Sequence, residues 1–207
     1  MKPWLIFGAG GTGVGALILA QALIEGHPVI AVVRNPEAAE RLAQQGVTVI
    51  TGDACNKNVV ARACEAAGPD ATLISSMGGA HDYLAHRTVI DTAEATGLTR
   101  MILVTSLGCG ESWRWLSPRA RAAFGQSVRE KSLAESWLQT STLDYNILRP
   151  GGLLTGEATG KAQRYQNVEV HGFVMRADVA AHVAQLANAP ELNRQVYSLV
   201  EQDLKPA

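Results

Sequence analysis

This sequence of 207 residues has almost no net charge, few aromatic residues and no long apolar run. Lys and Arg total 18 and Asp and Glu total 19, so the net charge of −1 creates no basic field that would attract nucleic acid. Aromatic residues make up 5% of the chain, which is too few for a base-stacking surface. No apolar run approaches the roughly 18–20 residues of a membrane span. We therefore expect neither nucleic acid nor a membrane as a partner.

Cysteine is also rare, since the chain has only Cys55, Cys64 and Cys109. Their number is odd, and no two of them have CxxC spacing. This pattern argues against a disulfide framework and against a zinc site, so no metal is expected. The N-terminal stretch MKPWLIFGAG becomes glycine-rich too early for a signal peptide, which favours a cytoplasmic location. The hydrophobic content of 47% predicts a folded chain, and residues 1–207 fit a single domain.

Short apolar runs alternate with helical patterns along the chain. The predicted strands are Pro3–Phe7, Val29–Val33, Val47–Thr51, Ala71–Ser75, Met101–Thr105 and Tyr145–Leu148. The predicted helices are Val14–Glu25, Pro36–Gln45, Asn56–Ala67, Asp82–Thr96 and Ser127–Gln139. Continuously apolar strands are typical of parallel sheets that are covered on both faces. The order predicts an α/β fold, a Rossmann-like doubly wound parallel sheet with helices on both faces and a small C-terminal substrate lobe.

Two regions break this alternation. Residues 108–126 hold two of the four tryptophans, and residues 151–173 begin GGLLTGEATGK without an apolar period. Each region follows a predicted strand, at the edge where open α/β sheets bind their ligands. We therefore predict that both are loops on the substrate side of the domain.

The stretch LIFGAGGTGVG at residues 5–15 places five glycines directly after the first predicted strand and before a helix. Glycines let the backbone approach a phosphate, and the helix N-terminus provides free N–H groups and a favourable dipole. Two spacings stay open, because Gly8, Gly10 and Gly13 fit G-x-G-x-x-G while Gly8, Gly11 and Gly15 give a longer motif. The residues predicted to bind the dinucleotide here are Gly8, Gly10, Gly11, Thr12, Gly13 and Val14.

Arg34 stands at the end of the second predicted strand, in the stretch AVVRNPE. NAD-binding chains place an acidic residue near this point, whereas an arginine suits the 2′-phosphate of NADP. Asp53 and Ala54 follow the third strand, where the carboxylate could meet the adenine or cap the next helix. The sequence therefore predicts NADP(H) as the cofactor.

Several motifs in order resemble the short-chain dehydrogenase/reductase superfamily, in particular its atypical NAD(P)-binding branch with the NmrA-like proteins and the biliverdin-IXβ and flavin reductases. The motifs are IFGAGGTG, VVRNPE, GD at 52–53, LVTSLG at 103–108, KSLAESWLQTSTLDYNILRPGGLL and MRADVA at 175–180. Typical members use a serine and a Tyr-x-x-x-Lys pair for catalysis. The resemblance places Ser106 and Lys131 at the serine and lysine positions, but Ser127 stands where the tyrosine should be.

The flavin and biliverdin reductase branch also lacks that tyrosine, and there the enzyme mainly holds NADPH against a planar acceptor. On this resemblance, further cofactor contacts are predicted at Ser75, Ser76, Met77, Gly78, Thr105, Pro150, Gly151, Gly152 and Leu153. Trp113, Trp115 and Phe124 would form an apolar wall for the acceptor, or simply pack against the protein.

These observations predict an NADPH-dependent oxidoreductase that reduces a flavin, quinone or tetrapyrrole-like acceptor by hydride transfer. One alternative is a non-catalytic NADP(H)-binding redox sensor that resembles the NmrA-like proteins. Another is an NAD(P)-dependent epimerase or isomerase, which the absent tyrosine disfavours. The expected partner is a small planar acceptor, and both a monomer and a homodimer remain open.

Overall fold

A computed structural model describes residues 1–206, in which strands and helices alternate along most of the chain. The strands are β1 (Trp4–Phe7), β2 (Val29–Val33), β3 (Thr48–Thr51), β4 (Thr72–Ser75), β5 (Arg100–Val104), β6 (Asp144–Pro150), β7 (Gly152–Leu154), β8 (Gln163–Tyr165), β9 (Phe173–Met175) and β10 (Gln195–Val200). The α-helices are α1 (Val14–Ile24), α2 (Pro36–Ala43), α3 (Lys57–Ala67), α4 (Asp82–Ala95), α5 (Pro118–Gln139) and α6 (Arg176–Asn188).

Eight strands form one sheet in the order β3-β2-β1-β4-β5-β6-β10-β8. The pairs are parallel except for β8, which runs antiparallel to β10 at the sheet edge. The strand order reverses at β1, because β1 pairs with β2 on one side and with β4 on the other. Such a reversal opens a crevice beyond the carboxyl ends of the strands. The sheet confirms the predicted Rossmann-like fold.

Side chains of β1 alternate between the two faces of the sheet and show why both faces are apolar. Trp4 and Ile6 belong to a core that includes residues of α1, α2 and α6. Leu5 and Phe7 belong to a second core that includes residues of α3, α4 and α5. Because helices cover both faces, the strand cannot show a polar alternation, which explains its continuously apolar sequence.

The region between β5 and β6 differs from the prediction. Residues 108–126 are not one loop, because a 3-10 helix covers Gly110–Trp115 and α5 begins at Pro118 rather than at Ser127. Ser117 caps this helix, with its Oγ accepting the Ala120 N–H at 3.1 Å. A capping Ser followed by Pro is a helix-start signal that the apolar pattern alone does not reveal. Phe124 interrupts α5 with a non-helical φ of −140°, so the helix has a kink there.

The C-terminal part adds short strands within the predicted loop at 151–173. β7 pairs with β9 in a separate two-stranded parallel sheet, and α6 follows directly. β8 lies in the same region but joins the large sheet through β10. Among residues 1–206, no helix combines the length and the apolar character needed to cross a bilayer.

Candidate functional site

A cleft of about 450 Å³ opens beyond the carboxyl ends of β1, β2 and β4, at the reversal of strand order. Nine of the residues predicted to bind the cofactor line it: Gly8, Gly10, Gly11, Arg34, Asp53, Ala54, Ser76, Met77 and Gly78. Other lining residues that the sequence did not predict as cofactor contacts include Asn35, Cys55, Gly79, Ala80, His81 and Asp82. The structure therefore brings the glycine turn, the end of β2 and the end of β4 to one cavity.

The glycines of the turn between β1 and α1 differ in what surrounds them. Gly8 has a φ of +96°, which favours glycine, and a Cβ there would lie 2.9 Å from the Ser76 carbonyl carbon. A Cβ on Gly15 would lie 2.6 Å from the Ser76 Oγ and would also overlap the Gly8 carbonyl oxygen. A Cβ on Gly11 or Gly13 would meet no atom within 4 Å. Gly8 and Gly15 thus allow close packing of α1 on β1, which matches the longer of the two predicted spacings.

The start of α1 has features that suit an anionic group. Gly13 occupies the N-cap position without a side-chain hydrogen bond, and the first turn holds no acidic residue. The helix dipole at this end favours negative charge. The buried Ser76 Oγ has no hydrogen-bond partner within residues 1–206. With the open backbone at Gly11, these groups fit the pyrophosphate of a dinucleotide.

Basic side chains stand at the β2 end of the cleft. The Arg34 side chain is 78% exposed, and its Nη1 lies 3.8 Å from the Asp53 Oδ2. A hydrogen bond from the Cys55 main-chain N–H, at 2.8 Å, is the largest cause that lowers the pKa of Asp53, and the Arg34 charge lowers it further. Arg41 of α2 donates from Nη2 to the Gly10 carbonyl at 3.1 Å. The sequence analysis did not single out Arg41, because only the fold brings α2 against the glycine turn.

A chain of polar side chains lies behind the wall of the cleft formed by residues 76–82. The Lys131 Nζ donates to the Asp82 Oδ2 at 2.7 Å and to the Met77 carbonyl at 2.8 Å. The Asp82 Oδ1 lies 2.8 Å from the His86 Nδ1, and the His86 Nε2 lies 2.8 Å from the Ser75 Oγ. Lys131 therefore anchors the wall of the cleft.

Asp82 is ionised within this buried chain. Its side chain is inaccessible to solvent, and burial by itself would raise its pKa. The hydrogen bond and charge of His86 and the charge of Lys131 outweigh burial and hold the pKa below its usual value. The wall is thus fixed by a compensated buried charge rather than by apolar packing alone.

Further predicted positions that do not line the cleft lie just after β5 and around the end of β6. The Ser106 Oγ donates to the Leu107 carbonyl at 3.0 Å, while the buried Thr105 hydroxyl donates to the Glu135 Oε1 at 2.6 Å. Glu135 in turn accepts from the Arg149 Nη2 at 2.6 Å. The Thr105 side chain is therefore bound to this buried ion pair. Three further predicted positions, Gly151, Gly152 and Leu153, lie at the end of β6 and in β7.

The three aromatic residues predicted to contact an acceptor are outside the residues that line the cleft. Trp113 and Trp115 belong to the 3-10 helix, and Phe124 stands at the kink of α5 with 48% of its surface exposed. A Cβ on Gly125 would lie 3.2 Å from the Trp113 ring, so little room is left for a larger residue beside it. Their role toward an acceptor stays a prediction.

Known proteins are similar to this chain to different degrees. The family described as NAD(P)H-binding matches residues 8–190. ChuY from Escherichia coli O157:H7, described as an anaerobillin reductase, is 73% identical, with a TM-score of 0.99 over 100% of both chains. ChuY from E. coli strain CFT073 is 70% identical, with a TM-score of 0.93 over 100% of both chains. YhfK of Bacillus subtilis, named an uncharacterized sugar epimerase, is 27% identical over 98% of this chain and 95% of its own.

Proposed function

Because the chain belongs to the NAD(P)H-binding family, we propose that it is an NADPH-dependent reductase of a planar, tetrapyrrole-like acceptor. The observation that carries the proposal is the cleft at the strand reversal, which the glycine turn leading into α1 lines together with Arg34. The similarity to ChuY, described as an anaerobillin reductase, supports a tetrapyrrole acceptor over a flavin or a quinone.

The basic end of the cleft supports NADPH over NADH. The highly exposed Arg34 guanidinium is free to turn toward a phosphate, since its contact with Asp53 is long at 3.8 Å. Arg41 lies against the same glycine turn and adds a second positive charge. Without a 2′-phosphate on the ribose, Arg34 would keep only its long contact with Asp53.

The chemistry requires positioning more than acid catalysis by the protein. When bound, NADPH supplies a hydride with two electrons to the acceptor, and one proton from solvent completes the reduction. Ser127 occupies the tyrosine position, and Lys131 is held by Asp82 and the Met77 carbonyl. In this proposal the main chain of residues 76–78 and the hydroxyl of Ser106 orient the reactants, and no side chain of the protein has to give up a proton.

The proposal is tested by following NADPH oxidation anaerobically with a bilin, a flavin and a quinone, beside a direct titration of NADPH binding. We expect stoichiometric oxidation with the bilin and a faster reaction with NADPH than with NADH. The Gly11→Val variant should lose NADPH affinity while its unfolding curve stays unchanged, because a Cβ at Gly11 meets no protein atom within 4 Å.

The titration also separates this proposal from the alternative redox sensor. Tight NADPH binding without turnover of any acceptor would favour the sensor and contradict the reductase. Failure to bind either dinucleotide would contradict both functions, and normal NADPH binding by Gly11→Val would show that the pyrophosphate does not lie against this glycine.

A further inference from the structure

We propose that the arginine–aromatic segment, residues 110–131, recognises carboxylate groups of the acceptor, so that the substrate is a planar molecule with at least two carboxylates. The inference rests on the proposed function only in taking the acceptor as the molecule that this segment contacts. The segment includes the 3-10 helix and most of α5, and it follows β5 at the same sheet edge as the cleft.

Four exposed arginines give the segment its positive charge: Arg114, Arg119, Arg121 and Arg129. Within residues 1–206, none of them takes part in an ion pair. The whole chain carries a net charge of −1, so this concentration of positive charge is local. A basic patch of this kind attracts anions of matching size.

The acidic residues of the segment do not compensate the arginines. The Glu111 Oε1 accepts from the Arg149 Nη1 at 2.6 Å, which binds it to β6. The Glu130 Oε2 accepts the Tyr83 main-chain N–H at 3.0 Å, which binds it to α4. Lys131 is already paired with Asp82. The charges left for a ligand are therefore those of the arginines.

Aromatic rings hold three of the guanidinium groups. Arg121 and Arg129 each lie 5.3 Å from the Trp113 ring, and Arg114 lies 5.0 Å from the Trp115 ring. Such contacts orient the flat guanidinium group and leave its N–H groups for an anion. Arg121 also donates to the Trp113 carbonyl at 3.0 Å, so its role is partly structural. Arg114 and Arg129 are thus the clearest candidates for carboxylate binding.

The segment adjoins the cleft through the C-terminal half of α5. Lys131 reaches the Met77 carbonyl, and a Cβ on Gly78 would lie 3.8 Å from the Lys131 Nζ. Ser127 stands one helical turn earlier on the same face of α5. A planar molecule that lies over Met77 could therefore extend toward the exposed ring of Phe124 and the arginines beyond it.

This chemistry distinguishes acceptor classes. Carboxylate arms would form charge-assisted hydrogen bonds with the guanidinium groups, and the conjugated body would contact the aromatic rings. A neutral quinone would leave the arginines unused, and a planar cation would be repelled. The segment therefore favours a dicarboxylate such as a linear tetrapyrrole acid.

The test uses the full chain with NADP⁺ present and isothermal titration with two probes, biliverdin and its dimethyl ester. We expect the acid to bind roughly tenfold or more tightly than the ester, because only the acid offers charged acceptors to the guanidinium groups. Raising the salt concentration from about 0.1 M to about 1 M should weaken binding of the acid and leave binding of the ester nearly unchanged. Equal affinities for the two probes would overturn the inference.

Matched variants assign the effect to the segment. The double variant Arg114→Gln and Arg129→Gln should lose roughly tenfold affinity for the acid, and the Lys versions of both should restore most of it. Arg62→Gln, at an exposed residue of α3 outside the segment, is the control for removing positive charge elsewhere on the surface. If the double Gln variant bound the acid as tightly as the parent does, the assignment to these two arginines would be overturned. Circular dichroism checks that each variant folds.

The failure of this inference is distinguishable from the failure of the proposed function. If the protein oxidises NADPH with an acceptor but binds acid and ester equally, the reductase function stands and carboxylate recognition by the segment is contradicted. If the protein binds the acid through Arg114 and Arg129 but turns over no acceptor, the reductase function is contradicted and carboxylate recognition by the segment stands.

Discussion

The cofactor cleft and the arginine–aromatic segment lie at one edge of the sheet, but they are built from different kinds of group. The cleft relies on the main chain, since Gly8 needs its φ of +96° and Gly15 leaves no room for a side chain. The segment relies on long exposed side chains, among them Arg114 and Arg129. A single substitution in the glycine turn should therefore abolish most binding at the cleft, whereas each arginine that is removed from the segment should weaken binding there by a smaller amount.

A buried ion pair connects the two regions. Arg149 of β6 contacts Glu135 of α5 and Glu111 of the 3-10 helix at 2.6 Å each. The Glu135 side chain is 2% exposed, while the Glu111 side chain is 55% exposed. One arginine thus holds both the helix that anchors the cleft wall and the helix that carries the tryptophans.

The largest effect is expected from breaking this connection. Glu135→Gln would remove the buried counter-charge of Arg149, leave the half-exposed Glu111 as its remaining ion-pair partner, and should lower the free energy of unfolding by about 3–5 kcal/mol. Glu111→Gln removes the exposed partner and should cost less than about 1 kcal/mol. Urea denaturation of the two variants measures the difference. Equal losses would mean that the exposed contact matters as much as the buried one.

The wall of the cleft should show a dependence on acid. Because the pKa of Asp82 is lowered in the folded protein, its carboxylate stabilises the fold above the pKa of the unfolded state, and this stability is lost as the pH falls through the folded value. The loss should therefore occur below about pH 4. The measurement is the unfolding free energy as a function of pH, for the parent and for Asp82→Asn.

Asp82→Asn should be less stable at neutral pH and should lose less on acidification. Asp91→Asn, at a half-exposed carboxylate of the same helix, is the control for removing one negative charge. If the unfolding free energy of Asp82→Asn fell with acidification as steeply as that of the parent, the pH dependence would belong to other carboxylates.

Strands β1 to β6 and the family could be predicted from the sequence because their signals are local. The family match confirms the resemblance, and the predicted strand Pro3–Phe7 matches β1 to within one residue, because burial on both faces leaves only apolar residues. Helix α5 began nine residues earlier than predicted, at Pro118 instead of Ser127, since its first half is exposed and has no apolar stripe. Strand β10 was not predicted, although its partner β6 was.

The site was less predictable because its contacts join distant parts of the chain. The glycine motif predicted a cofactor role for Gly8 and Gly11, and both line the cleft, but the packing role of Gly15 required the structure. The ion pair of Lys131 with Asp82 joins residues 49 positions apart. The contact of Arg41 with Gly10 likewise depends on how α2 folds back, which no spacing in the sequence reveals.

The basic end of the cleft should show a smaller, cofactor-specific effect. Arg34→Ala should weaken NADPH binding by about ten- to hundredfold, because a charge-assisted hydrogen bond contributes roughly 1.5–3 kcal/mol. The affinity for NADH in the same variant is the internal control and should change little. Titration of both dinucleotides gives the answer, and equal affinities of the parent protein for them would contradict the assignment of Arg34 to the 2′-phosphate.

The smallest effects are expected at Tyr83 and Tyr145, since neither stands four residues before Lys131, where the family places its proton donor. The Tyr83 ring packs edge-on against Trp137, and the buried Tyr145 ring lies under the Arg194 guanidinium. Tyr83→Phe and Tyr145→Phe should leave hydride transfer within a few fold of the parent, whereas loss of a general acid costs about 10²–10⁴-fold.

Ser106→Ala should slow the same step more than either tyrosine variant, because this hydroxyl is proposed to orient the reactants. Single-turnover oxidation of NADPH with a bilin measures the step without interference from product release. A collapse of the rate in Tyr83→Phe or Tyr145→Phe, with Ser106→Ala unaffected, would reverse the proposed mechanism. It would mean that the protein supplies the proton, and that the cleft contributes acid catalysis as well as the main-chain positioning that distinguishes it from the arginine–aromatic segment.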